Sequence, residues 1–148
     1  MSVYAYDFDG VLHKSVGPPD DQGERHYLFD DVKKYKPVRR VLRQIRSQLA
    51  QNDRVLIISA RGRRALEPVR SYLRKYLGKE SEKVECLFTS GGDKTPYLQE
   101  YQVNEYYDDS CLRINQLCRE KIPSLRALYM VYPETESWTR VECPSDEC

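Results

Sequence analysis

Short apolar runs alternate along this chain with stretches of helical period. Residues 3–8 read as a first strand. Val38, Val41, Leu42, Ile45 and Leu49 recur three and four apart, which puts them on one face of a helix. Pro37, just ahead of them, suits the first helical position. Residues 55–58 form a continuous apolar run, as in a strand buried on both faces. A second helix follows, with Ala65, Leu66, Val69, Leu73 and Leu77 inward. Residues 84–88, 103–107 and 125–131 read as three further strands. Thr95-Pro96 opens a short helix running to about Tyr101. Ser110 is placed to cap another, which carries Leu112, Ile114, Leu117 and Cys118. Strands alternating with helices predict an α/β fold of three layers, Rossmann-like, with a central parallel sheet.

Two segments fall outside that rhythm. Residues 13–31 gather Gly17, Pro18, Pro19, Asp20, Asp21 and Gly23, so a loop or a tightly turned hairpin is expected. Residues 133–148 are acidic without helical period and read as a tail or an edge strand. One domain over residues 1–132, followed by this element, suits a chain of 148 residues. No apolar run approaches the ~20 residues of a membrane helix, and the start of the chain lacks a basic, apolar signal. A soluble protein of the cytoplasm or nucleus, neither secreted nor membrane-bound, is expected.

Charge sharpens the picture. The net charge of +1 conceals a split. Residues 33–75 hold 14 Lys and Arg against Asp53 and Glu67, a net of +12. The rest carries 10 basic and 21 acidic residues, a net of −11. A basic surface for a polyanion is one reading, and two solvated basic helix faces the other. The five cysteines, at 86, 111, 118, 143 and 148, are odd in number and lack a Cys-x-x-Cys pair. Reduced thiols are therefore expected, with neither a disulfide framework nor a zinc site.

In a parallel sheet of this kind, ligands sit beyond the carboxyl ends of the strands. There the chain places Asp7 and Asp9 after the first strand, Ser59 and Arg61 after the second, Lys94 after the third, and Asp108 and Asp109 after the fourth. Asp7 and Asp9, two apart in extended chain, point the same way, and Phe8 turns to the core. Gly10 lets the chain bend sharply. Carboxylates this close need a proton or a cation, and a hard dication with oxygen ligands, Mg²⁺ above all beside phosphate, fits. The set matches phosphoryl transfer by a carboxylate nucleophile. Asp7 attacks phosphorus, Asp9 serves as acid and then base, and Ser59 and Lys94 hold the equatorial oxygens. The metal falls to Asp7, Asp108, Asp109 and the backbone carbonyl of Asp9. Gly10, Ala60 and Arg61 are expected to touch the substrate. His13, just past the first motif, reads as a surface loop residue, with contact to a substrate the alternative, and His26 is given no role. Tyr27 and Phe29 read as packed under the segment of residues 13–31, with stacking on a base the alternative, and Trp138 as an anchor for the tail.

Asp-Phe-Asp-Gly-Val-Leu, Val-Leu-Ile-Ile-Ser, Lys94 and Tyr-Tyr-Asp-Asp, in that order, resemble the four motifs of the haloacid dehalogenase superfamily. The resemblance spans residues 3 to about 120. It implies a sheet ordered 5-4-1-2-3 and makes residues 13–31 the flap beside the site, with no room for a large cap domain. The second acid, Asp9, is a phosphatase feature that dehalogenases lack. Ser-x-Arg after strand two is similar to the phosphatase domain of polynucleotide kinase/phosphatase, which implies phosphorylated nucleic-acid ends or nucleotides as substrates. Small metabolites and phosphoproteins are the alternatives. A receiver-like module is a non-enzymatic rival, but it needs an acid at the end of strand three, where Leu87-Phe88-Thr89 has none. An inactive phospho-ligand-binding protein of the same fold is another.

Overall fold

A computed structural model describes residues 1–143; the expectations for Cys148 and the end of the acidic tail lie outside them. Ten main elements follow one another: β1 (Val3–Tyr6), α1 (Arg39–Ala50), β2 (Arg54–Ser59), α2 (Leu66–Leu77), β3 (Glu85–Phe88), α3 (Thr95–Glu100), β4 (Glu105–Asp108), α4 (Cys111–Arg119), β5 (Ala127–Tyr132) and β6 (Ser137–Arg140). They form an α/β fold around one six-stranded sheet, ordered β3-β2-β1-β4-β5-β6. The first five strands are parallel, and β6 runs antiparallel along β5. The acidic stretch thus supplies an edge strand.

Alternation along β2 shows why the sheet is covered on both faces. Val55 and Ile57 join the cluster formed with Val41 and Ile45 of α1 and Val69 and Leu73 of α2. Leu56 and Ile58 join Leu98 of α3 and Ile114 and Leu117 of α4 on the other side. All four β2 residues are fully buried, as the apolar run predicts. An aromatic ladder crosses the sheet on the first face. Tyr6 stacks on Tyr107 and Tyr107 on Tyr129, each pair with centroids 4.5 Å apart. Trp138 of β6 meets the edge of Tyr107 at 6.0 Å, with Arg40 over its ring, so it anchors the edge strand as expected. Among the described residues no helix is long and apolar enough to cross a membrane.

Three expectations need correction. Helix α1 starts at Arg39, past Pro37, because residues 36–38 stay extended. Val38 N–H donates to the Leu12 carbonyl (2.9 Å), and Lys36 accepts from Lys14 N–H (2.8 Å). Leu66 is exposed rather than inward, since a turn over Arg63–Ala65 brings Val69, Tyr72, Leu73 and Leu77 to the core instead. Cys118 and Cys143 are not thiols. They form a disulfide with Cα atoms 5.4 Å apart, within the usual bridging range. Their separation of 25 residues hides that α4 and the segment after β6 lie side by side. Cys86 remains free.

Residues 13–31 form the hairpin with a tight turn. Val16 pairs with Tyr27, and Gly17 N–H reaches His26 O at 2.9 Å. Asp20 closes the tip by accepting from the N–H groups of Gln22 and Glu24. The hairpin is latched over the strand ends by Glu24, whose Oε1 lies 3.2 Å from the Ser110 hydroxyl and 3.8 Å from Arg113.

Candidate functional site

β1 ends at Tyr6, so Asp7 is the first residue past it, and its N–H makes a last sheet-like bond to Tyr107 O (2.9 Å). Lys94 comes from the loop after β3 and is buried at the start of α3. Its Nζ lies 3.0 Å from Asp7 Oδ1, 2.8 Å from the Tyr106 hydroxyl and 3.4 Å from Asp108 Oδ2. Asp108 is the last residue of β4. Its Oδ1 accepts the Ser110 N–H (3.0 Å), and its Oδ2 accepts the Tyr106 hydroxyl. Ser110 caps α4 as expected, its hydroxyl accepting from Arg113 N–H. Gly10 has φ +77°, and an added Cβ would fall 1.9 Å from Asp109 Oδ2. The bend after β1 therefore lets Asp109 close in beside Asp7.

Asp7, Asp108 and Asp109 bring carboxylate oxygens within 4.8 Å of one another. Electrostatics divides them. Burial, with Asp108 and Asp9 nearby, pushes Asp7 up to about 7 despite Lys94. Burial, with Asp7 and Asp108 nearby, pushes Asp109 well above the carboxylate range, against Arg25 and Lys94. Burial alone would raise Asp108 too, but Lys94, Arg113, the Tyr106 hydroxyl and the Ser110 N–H hold it low. So one acid of the trio is stably ionised and two are held toward the neutral form. An all-oxygen set short of positive charge is the donor chemistry of a hard dication, with nothing in it that selects one such ion over another. The Asp9 carboxylate is not one of this trio.

A consequence can be measured without any substrate. Asp7 is raised in the fold, so the stability it contributes is present below the usual carboxylate range and lost as pH rises toward 7. A dication can replace the missing proton. Added Mg²⁺ is expected to raise the melting temperature, and to do so more at about pH 8 than at about pH 5.5. At about 100 times Kd the gain is ~2.7 kcal/mol, roughly 5–10 °C for a chain of this size. Calorimetric melting curves unchanged by the dication at both pH values would remove the metal site.

Asp9 belongs to a second group. Arg61 forks onto it, Nε to Oδ2 at 2.9 Å and an Nη to Oδ1 at 2.7 Å. His13 Nε2 lies 2.7 Å from Asp9 Oδ1. Ser15 N–H donates to His13 Nδ1, which puts the ring proton on Nε2 facing Asp9. Burial opposes ionisation of Asp9, yet the His13 and Arg61 bonds win and hold it low. His13 itself is fully buried, stacked on Tyr35 at 4.0 Å, and burial lowers it despite Asp9. It is not the surface loop residue expected. Ser59 is buried, with its Oγ 3.1 Å from Arg61 N–H. Ala60, Asp9 and Arg61 line an open cleft of ≈ 1060 Å³ between the flap and the loop after β2. Tyr27 and Phe29 are not packed beneath the flap: they are 44% and 40% exposed, and the Tyr27 ring lies 3.8 Å from the Arg61 guanidinium carbon.

Sequence reasoning missed Tyr106 and Arg25. Tyr106 stands two residues before Asp108, and that spacing alone puts both on one side of β4. Arg25 leaves the flap tip and brings its Nε to 3.8 Å from Asp109 Oδ2. No local pattern announces that contact.

Fold and site together define an α/β domain with a mostly parallel sheet whose strand ends gather three acids around one buried lysine. No family model and no solved structure matches the chain. It is similar to an uncharacterized protein of Acanthamoeba polyphaga mimivirus, 37% identical over 143 residues. That match covers 92% of this chain and 28% of the viral protein, so the chain spans little more than a quarter of the relative's length.

Proposed function

We propose that the chain is a dication-dependent phosphomonoester hydrolase of the haloacid dehalogenase type, working through an aspartyl phosphate on Asp7. The observation that carries this reading is Lys94 Nζ at 3.0 Å from Asp7, with Asp108 and Asp109 beside it at the end of the neighbouring strand. The sheet order over β1–β5 is the one the motif resemblance implies. The flap leaves the cleft open, which suits a member without a large cap.

The chemistry then runs through this chain's own groups. An Asp7 oxygen attacks phosphorus as the bond to the leaving oxygen breaks, and Asp9 gives that oxygen its proton. Asp9 next takes a proton from water, whose oxygen attacks phosphorus and breaks the bond to Asp7. Lys94 and Ser59 hold the phosphoryl oxygens, and a bound dication supplies further positive charge there. Asp9 starts ionised and paired with Arg61. A phosphate that draws Arg61 to its own oxygens frees Asp9 to take up the proton its acid role needs, so binding primes the acid.

The test is hydrolysis of an aryl phosphate. Turnover is expected with Mg²⁺ and is expected to vanish in excess chelator. Full turnover in chelator would sink the metal role, and no turnover with any dication would sink the hydrolase.

A further inference from the structure

The basic segment of residues 33–75 does not form one surface. Arg39, Arg43 and Arg46 line a separate groove with Tyr76. Arg54 pairs with Glu85, Arg70 donates to the carbonyls of Ser81 and Val84, and Arg74 pairs with Glu67. What remains at the cleft is Arg61, Arg63 and Arg64. Arg61 is accounted for by Asp9. Arg63 and Arg64 are exposed on the cleft wall and make no ion pair or side-chain hydrogen bond among the described residues. They lead into α2, where the helix dipole disfavours cations. Two arginines without a protein partner thus stand on the cleft wall at a helix start, where a bound anion would offset the unfavourable dipole.

The opposite wall shows where that anion does not go. It carries Asp20, Glu24 and Asp30 of the flap. From the same wall Arg25, 10% exposed, holds a buried Nε without a hydrogen-bond partner and points it toward Asp109. The cleft is also large. At ≈ 1060 Å³ it matches the pockets of whole organic ligands, and a lone phosphate would fill little of it.

Resting on the phosphomonoester reading, we infer that the cleft takes a substrate with two phosphate groups: the scissile one at Asp7 and Arg61, and a second, uncleaved one held by Arg63 and Arg64. Forked arginine contacts to phosphate are strong and directional. The two groups can belong to a nucleoside bisphosphate or to the last two positions of a phosphorylated strand.

The experiment compares kcat/KM for a nucleoside 3′,5′-bisphosphate, the matching 3′- and 5′-monophosphates, and a 3′-phosphorylated oligonucleotide, at low and moderate salt. At low salt the two-phosphate substrates are expected to exceed the monophosphates roughly tenfold or more. That ratio is expected to shrink with salt and to fall toward one in R63E/R64E, with R63Q/R64Q falling part of the way. Both sites are exposed, so the variants should fold, and melting curves check this. A bisphosphate ahead of the oligonucleotide identifies a free nucleotide, and the reverse order a strand end. Monophosphates at parity, or a ratio unmoved by R63E/R64E, would overturn the inference while aryl-phosphate turnover stands. If the protein hydrolyses nothing, calorimetric binding of the bisphosphate and the monophosphates to Asp7→Asn decides. Tighter bisphosphate binding, weakened by R63E/R64E, upholds the second phosphate site, and equal affinities reject it.

Discussion

Asp7→Asn is expected to abolish turnover, with kcat down on the order of 10³-fold or more, as when other covalent nucleophiles are removed. The amide keeps the shape of the carboxylate but cannot take up a phosphoryl group. The fold should not suffer. Asp7 is half-buried among acids, and desolvation, with Asp108 and Asp9 nearby, drives its pKa up to about 7. Removing its charge relieves repulsion, while Lys94 keeps Asp108 and Tyr106 as partners. Between about pH 4 and pH 7 the metal-free wild type should lose stability as Asp7 gives up its proton, and the variant should lose less. Activity assays paired with melting curves across pH separate the two effects. Mass spectrometry of acid-quenched protein should find phosphate on Asp7 in Asp9→Asn and none in Asp7→Asn. Phosphate retained in Asp7→Asn would place the nucleophile elsewhere.

Gly10→Ala is expected to cost about 3 kcal/mol or more and to remove the response to Mg²⁺. Two effects add. The positive φ of +77° strains any side chain, by ~1–2 kcal/mol. The new Cβ also meets Asp109 at 1.9 Å from Oδ2 and 2.5 Å from Cγ. Asp109 is buried, so it can yield only by leaving the acidic trio. Gly91→Ala separates the two effects. It shares a positive φ of +81° with nothing within 4 Å of its Cβ, so only the backbone strain should appear. Urea denaturation of both variants, with Mg²⁺ titrated into each, makes the comparison. Equal costs at the two sites would show that the Asp109 contact is easily relieved.

Most of the fold was legible because it rests on local signals. The run 55–58 and the spacing of Val41, Leu42, Ile45 and Leu49 name their elements without outside help, and Ser110 caps α4 as its residue type predicts. The acids, Ser59 and Lys94 were legible as strand-end residues once the parallel sheet was inferred. What was not legible depends on partners distant in sequence. Pro37 lies outside α1 because the chain near Leu12 claims its neighbours. His13 is buried because Tyr35, 22 positions further along the chain, supplies a ring to stack on. Cys118 and Cys143 meet only because β6 folds back on β5. Arg25 meets Asp109 only because the flap is latched over the site. The summed charge of residues 33–75 said nothing of direction, and the fold spends those arginines on several surfaces.

The aromatic ladder has an optical consequence. Trp138 is the sole tryptophan, and it touches Tyr107 at the centre of a tyrosine stack. Light absorbed by those tyrosines can pass to it over such short distances, so the folded chain should emit mainly as tryptophan. Peeling β6 from the sheet would break that transfer and wet the indole, dimming the sensitised signal and shifting emission to the red. The chain thus carries an intrinsic fluorophore, needing no label, on the strand that seals one margin of its sheet.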